Sequence, residues 1–208
     1  IPVSNGQFGD AVVIDGTKLI IGSSETDVGT FTRAGVAYFY DCSSSNCVLV
    51  DTISNPTPGA IESFGDSVGL SGTNVVIGEP TDVGKIYFYN CSGVTCVLVD
   101  TISNPSGIHD GFGYSISISE NNLIAGSMWS SVDGVNGAGK AYHYVCTSIC
   151  TLDSVLPNPN PEYNIIFGFS VSASKHNVVV GAPGGGQGQF GEAYFYNCSD
   201  GNCPSTLS

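Results

Sequence analysis

Residues 64–102 read FGDSVGLSGTNVVIGEPTDVGKIYFYNCSGVTCVLVDTI, and the periods in this stretch decide the fold. Phe64 to Leu70 alternates as a strand does. Ser71-Gly72-Thr73 makes a turn, and Asn74 to Gly78 is a short apolar run suited to a buried second strand. Glu79 to Gly84 is a loop. Lys85 to Cys91 is an aromatic third strand, Ser92 to Thr95 a hairpin loop and Cys96 to Ile102 a fourth strand. Ser103-Asn104-Pro105 then breaks the ladder, because proline cannot donate to it.

The same pattern occurs four times. Phe8-Gly9, Phe64-Gly65, Phe112-Gly113 and Phe167-Gly168 each open a unit, and a second glycine (Gly22, Gly78, Gly126, Gly181) ends an apolar run 14 residues on. A third glycine (Gly35, Gly84, Gly139, Gly191) precedes an aromatic triplet and lies seven residues before a cysteine. Between the second and third glycines the gaps are 13, 6, 13 and 10 residues. The ruler is therefore rigid where strands pair and loose in the loop between strands two and three. Units of about 50 residues made of short strands predict an all-β, blade-type architecture. The expected fold is a β-propeller of four four-stranded antiparallel blades in a single domain, residues 1–208. The blades span approximately 6–56, 62–105, 110–158 and 165–208.

The fourth blade is short at its end. After Cys203 only Pro204 to Ser208 remain, whereas CVLVDTISNP stands complete at 47–56 and again at 96–105. Residues 1–5 resemble the missing piece. Ile1 and Val3 with Thr206 and Leu207 thus form a candidate segment that completes the last blade, or joins one molecule to the next by strand sharing.

Four Phe-Gly openings on one ruler, each with a later Gly-x-x-Tyr (Tyr38, Tyr87, Tyr142, Tyr194), together with Gly181-Ala182-Pro183 and Gly78-Glu79-Pro80, resemble the FG-GAP repeats of integrin α-subunit heads. The resemblance covers the whole chain and implies an extracellular propeller that works in adhesion. Two departures stand out. The integrin-type ring has seven blades, and the calcium loop that this family often carries between the first two strands has no counterpart here. The turns at Ile14 to Thr17, Leu70 to Thr73, Ile118 to Asn121 and Ala173 to His176 are too short and too poor in oxygen ligands. No calcium, and no other cofactor, is carried over.

Eight cysteines fall into close pairs, one per unit: Cys42/Cys47, Cys91/Cys96, Cys146/Cys150 and Cys198/Cys203. Each pair brackets a hairpin loop, where opposed residues sit within reach of a disulfide. Four local disulfides imply an oxidising compartment, so the chain is expected to be secreted or at a cell surface, with any signal peptide already removed. Asn90-Cys91-Ser92 and Asn197-Cys198-Ser199 are candidate glycosylation sites.

A net charge of −13, from 18 acids against 5 bases, excludes nucleic acid and anionic membrane surfaces as partners. No apolar run approaches the ~20 residues of a membrane-spanning helix. Gly65-Asp66-Ser67 imitates an esterase motif, but the repeat itself accounts for it, and neither His109, His143 nor His176 has a triad's context. Gly184-Gly185-Gly186 lacks the lysine and the following helix of a phosphate cradle. With no constellation to support catalysis, the chain is read as non-enzymatic. Its expected work is adhesion or surface scaffolding through the variable loops, which carry the candidate contact residues Glu25, Asp27, Trp129 and Asp133. The partner would be a protein or a glycan. The alternatives are a self-assembling subunit of an extracellular filament or surface layer, whose partner is copies of itself, and a dedicated glycan-binding module that stacks sugars on the aromatic strands.

Overall fold

A computed structural model describes residues 6–184, 190–199, 203, 205 and 206. The described strands form four antiparallel sheets of four. Each unit supplies one sheet whose strands lie in sequence order. The first holds β1 (Val12–Asp15), β2 (Lys18–Ser23), β3 (Val36–Asp41) and β4 (Val48–Ser54). The second holds β5 (Ser67–Ser71), β6 (Asn74–Glu79), β7 (Lys85–Asn90) and β8 (Val97–Ser103). The third holds β9 (Phe112–Ser119), β10 (Asn122–Ser127), β11 (Lys140–Cys146) and β12 (Cys150–Leu156). The fourth holds β13 (Ser170–Ser174), β14 (Asn177–Ala182), β15 (Glu192–Asn197) and the two-residue β16 (Ser205–Thr206).

The meander follows from the sequence punctuation. Two-residue turns such as Gly72-Thr73 join first and second strands, and a disulfide clips the third to the fourth in every sheet: Cys42–Cys47, Cys91–Cys96, Cys146–Cys150 and Cys198–Cys203. These short loops gain only about 2 kcal/mol each from closure entropy. They hold hairpins and tie no sheet to its neighbour. A bulge interrupts the pairing of the last two strands beside Phe39, Phe88 and His143. It turns Val50 and Val99 inward onto the packed interfaces.

Successive sheets pack face to face through their first strands, β1 on β5, β5 on β9 and β9 on β13. Each interface is an apolar sandwich with a constant composition. Ile20, Ala37, Phe39 and Ile53 of the first sheet meet Phe64, Val68, Leu70, Val75, Ile77, Tyr87 and Tyr89 of the second. Val76, Ile86, Phe88 and Ile102 meet Phe112, Ile116, Ile118, Leu123, Tyr142 and Tyr144 in the same way. Phe39 and Phe88, the centres of the first two aromatic triplets, thus face the next sheet, as alternation requires, and Tyr87, Tyr89, Tyr142 and Tyr144 face the previous one.

The second unit's first strand begins at Ser67 rather than Phe64, because Gly65 takes φ +92° and Phe64 instead bridges Gly35 of the preceding sheet. The same unit's second strand runs on to Glu79, which the sequence reading gave to the loop. The hydroxyl of Tyr87 lies buried, donating to Glu79 Oε2 at 3.1 Å, and that of Tyr196 donates to the Pro157 carbonyl at 2.6 Å.

Among the described residues, the four sheets do not close on themselves: the first leaves Val12 and Ile14 64% and 65% exposed, where their counterparts Val68, Leu70, Ile116 and Ile118 are buried. Of the segment expected to complete the last blade, Thr206 pairs with Phe195 on β15. Ile1, Val3 and Leu207 lie outside the described residues.

Candidate functional site

Where each unit begins, the residue after Phe-Gly lies on one rim of the array. It is Asp10 in the first unit, Asp66 in the second, Tyr114 in the third and Phe169 in the fourth. The rim therefore changes from acidic to aromatic along the chain. Burial raises the Asp66 carboxyl above its ordinary value, and the Asp10 charge adds to the effect. At the other end Phe169 leans on Tyr114, centroids 5.7 Å apart and planes tilted by 46°, Tyr114 on Trp129 at 6.5 Å and 44°, and Trp129 on His109 at 5.6 Å and 50°. Trp129 is 49% exposed, Phe169 39% and Tyr114 37%. They make a row of partly exposed, mutually tilted rings.

This row is built on a buried carboxylate. Asp110 accepts hydrogen bonds from Asn104 Nδ2 at 2.7 Å, Ser106 Oγ at 2.7 Å, Ser127 Oγ at 2.6 Å and Ser130 Oγ at 2.6 Å. Burial alone would raise its pKa, but the hydrogen bonds from Ser127, Ser130, Ser106 and Asn104 outweigh burial and hold it below the ordinary value. The Trp129 amide donates to the Asp110 carbonyl at 3.0 Å. Both ends of the four-residue turn 127–130 are thus fastened. Met128 points inward and is buried, and Trp129 points outward over Gly111, where a Cβ would lie 3.2 Å from the indole. Gly111 has φ +77° and leaves room for the ring.

The second unit carries the corresponding knot with other residues. Asn55 Nδ2 donates to Glu62 Oε2 at 2.7 Å and to Glu79 Oε2 at 2.8 Å, and Lys85 Nζ lies 3.1 Å from Glu79 Oε1. Burial pushes the Glu79 carboxyl up, with Lys85 pulling the other way. The sequence reading placed Glu79 in a loop and gave it no role. The signal was present, since Asn55 and Asn104 both precede a proline and Glu62 and Asp110 both stand two places before Phe-Gly.

The other candidates separate. Glu25 pairs with Arg33, whose amide donates to Asp27 Oδ1 at 2.9 Å, so both acids close their own loop. Asp133 sits at φ +50° in a turn closed by the Val132–Val135 bridge. Glu25, Asp27, Asp82 and Asp133 do not gather into one cluster of acids. His143, Cys198 and Cys203 do approach each other, but both sulfurs are spent in the disulfide and supply no thiolate. Asn90 and Asn197 each accept a hydrogen bond from the backbone two residues on, at Ser92 and Ser199. His176 is at the turn before β14, its carbonyl accepting from Cys198.

His143 occupies the place of Phe39 and Phe88. It is buried, with Nδ1 3.1 Å from Asp153 Oδ2 and Nε2 3.0 Å from Asn122 Oδ1. Burial lowers its pKa below 6.5, and Asp153 only partly opposes this. A folded-state value below the unfolded one means that the unfolded chain binds the extra proton. Stability is therefore present above about pH 6.5 and is lost as pH falls below it, by at most ~1.4 kcal/mol per pH unit. His143→Phe is expected to flatten thermal midpoints across this window. Parallel curves for wild type and variant would show that another group carries the dependence.

No protein-family model matches the sequence, and the comparison with curated proteins finds no match. Solved structures do resemble it. The computationally designed protein Ika4 superposes with a TM-score of 0.53 at 11% identity, covering 93% of both chains. Saccharomyces cerevisiae Sqt1 superposes with a TM-score of 0.58 at 11% identity, covering 96% of this chain and 48% of its own. The chain thus spans about half the length of Sqt1. At such identity the likeness is one of fold alone, an array of four-stranded sheets. The four disulfides suggest an oxidising, extracellular-type environment.

Proposed function

We propose that this chain is a non-enzymatic extracellular module of FG-GAP-like propeller blades that adheres to neutral surface glycans. The observation that carries the reading is the row Phe169–Tyr114–Trp129. Free rings of this size normally bury themselves; here Asp110 and its partners spend buried hydrogen bonds holding one of them outward. The apolar faces of pyranose rings pack on partly exposed aromatic rings such as these, whose centroids lie 5.7 and 6.5 Å apart. A net charge of −13 repels acidic polysaccharides, which favours neutral ones.

Trp129 is the sole tryptophan, so emission excited selectively beyond the tyrosine absorption band reports on this row alone. Neutral oligosaccharides are expected to shift or quench its emission saturably, and Tyr114→Ala is expected to weaken binding at least ~10-fold, the loss of about 1.4 kcal/mol of stacking. If no neutral oligosaccharide moves the emission and Trp129→Ala leaves adhesion to glycan-coated surfaces intact, the reading fails.

A further inference from the structure

The outer faces of the first and last sheets are the two halves of a joint that the molecule already makes three times internally. In each internal joint the second glycine of one unit backs onto the Phe-Gly carbonyl of the next. A Cβ on Gly22 would lie 1.9 Å from the Gly65 oxygen, on Gly78 2.4 Å from that of Gly113, and on Gly126 2.0 Å from that of Gly168. The third glycine packs on the next unit's phenylalanine backbone in the same way, Gly35 on Phe64, Gly84 on Phe112 and Gly139 on Phe167. The last residue of each first strand accepts from the next unit's turn, Asp15 from Gly72 at 2.7 Å, Ser71 from Glu120 at 2.8 Å and Ser119 from Lys175 at 2.8 Å. Ser67 and Ser115 donate to the carbonyls of Gly113 and Gly168 at 2.6 and 2.7 Å.

The ends of the array hold the unmatched members of this set. On the last sheet, Gly181 and Gly191 meet, among the described residues, only their own unit, and Ser170 and Ser174 are exposed. Val179 is 42% exposed where Ile20, Val76 and Ile124 are fully buried. Together with Phe169, Ala182 and Pro183, these glycines and Ser170 line a recess of about 480 Å³ at the place where the internal joints receive a Phe-Gly. On the first sheet stands the matching piece. Phe8 is 40% exposed where Phe64, Phe112 and Phe167 are fully buried, and nothing lies within 4 Å of a Cβ placed on Gly9, where one on Gly65 would lie 2.9 Å from the Val36 carbonyl.

We propose that two copies of this chain join end to end, the Phe8-Gly9 end of one seating in the Gly181–Gly191 recess of the other. Val12 and Ile14 then cover Val179, Ser170 donates to the Gly9 carbonyl, and Ser174 accepts from the Gly16 amide. The contact is heterologous, since the two surfaces differ, so its geometry either closes a ring of copies or extends a fibre. This joint uses packed faces and does not require strand exchange at β16. It shares only Phe169 with the ring row of the glycan reading, and its test reads association rather than sugar binding, so either can fail without the other. Copies at −13 repel one another, so added salt is expected to strengthen the association.

The test uses the full chain, Val179→Asp and Ile14→Asp, both at exposed positions that leave each fold intact by circular dichroism and disulfide mapping. Sedimentation velocity of wild type is expected to show concentration-dependent association, with each variant alone remaining a 21.4 kDa monomer. An equimolar mixture of the variants is expected to give a species of twice that mass, because V179D keeps an intact first sheet and I14D an intact last one. A wild type monomeric at every concentration and salt, variants that still associate, or a mixture that stays monomeric would each overturn the joint. A compact wild-type monomer that both variants loosen would mean that the chain closes on itself.

Discussion

Gly126→Ala is expected to loosen the fourth sheet from the third, lowering stability by about 3 kcal/mol. The new Cβ would lie 2.0 Å from the Gly168 carbonyl oxygen and 3.0 Å from its carbon, neither of which can rotate away. Gly168 is pinned by its own amide bond to the Gly181 carbonyl, and it stands at φ +88°. The clash can be relieved only by separating the sheets, which opens the sandwich of Ile124, Ala141 and Leu156 against Phe167, Val180, Tyr194 and Tyr196. The thermal midpoint of a chain this size should fall by about 6–12 °C. Gly181→Ala is the control, made at the equivalent place in the last sheet. Its Cβ would press only the Ser170 hydroxyl, a side chain free to turn, with its other nearest atoms at 3.7 Å. In dilute solution it should cost well under half as much. Equal losses at the two positions would mean that the close approach of sheets is not what the glycine serves.

That contrast shows what the ruler encoded. The spacing of Phe-Gly, second glycine and cysteine predicted four meandering sheets with one hairpin disulfide each, because strand pairing tolerates no insertions. Why a glycine was needed was not legible from the chain. Gly22, Gly78 and Gly126 are at ordinary backbone angles inside strands. Their reason is a carbonyl from another unit, some 40 residues away. The row of rings was hidden for a similar cause. Trp129 was visible as a loop aromatic, but Tyr114 and Phe169 follow the Phe-Gly openings of two different units, and only the packing of neighbouring sheets brings the three together. Closure was the expectation that one-dimensional reading could not test. Four blade-like units imply a ring only if each turns far enough, and that angle resides in side-chain volumes at the interfaces. The exposed Val12, Ile14 and Val179 show that the array remains open.

The second large effect is expected at Asp110, the carboxylate beneath the aromatic row. Asp110→Ala removes the acceptor of four side-chain donors at once. Asn104, Ser127 and Ser130 are buried, and without it their donors lose their charged partner in a site closed to water. Asn104 Nδ2 keeps the Val83 and Ile108 carbonyls, and Ser127 Oγ keeps the backbone carbonyl of residue 110 and Ser130 Oγ, so what is lost is the charged partner. At about 1.5–3 kcal/mol for a hydrogen bond to a charged group, offset in part by these remaining acceptors, the expected sum is about 3–5 kcal/mol. Asp110→Asn keeps the shape and lets the serine hydroxyls rotate, and should cost about 1–2 kcal/mol. Acid separates the two roles further. The folded-state pKa of Asp110 lies below the unfolded value, so between the two the unfolded chain holds more protons. Its contribution is complete above about pH 4 and is lost as pH falls through the folded value. Wild type should therefore lose stability toward acid faster than Asp110→Asn. The two curves should converge at low pH, where the carboxyl is protonated in both folded and unfolded chains. Because the same carboxylate fastens residues 127–130, Asp110→Ala should also shift Trp129 emission in the folded protein, whereas Asp110→Asn should leave it nearly unchanged. An emission spectrum indifferent to both substitutions would mean that Trp129 holds its place through Met128 and Gly111 alone, and that the buried network serves stability only.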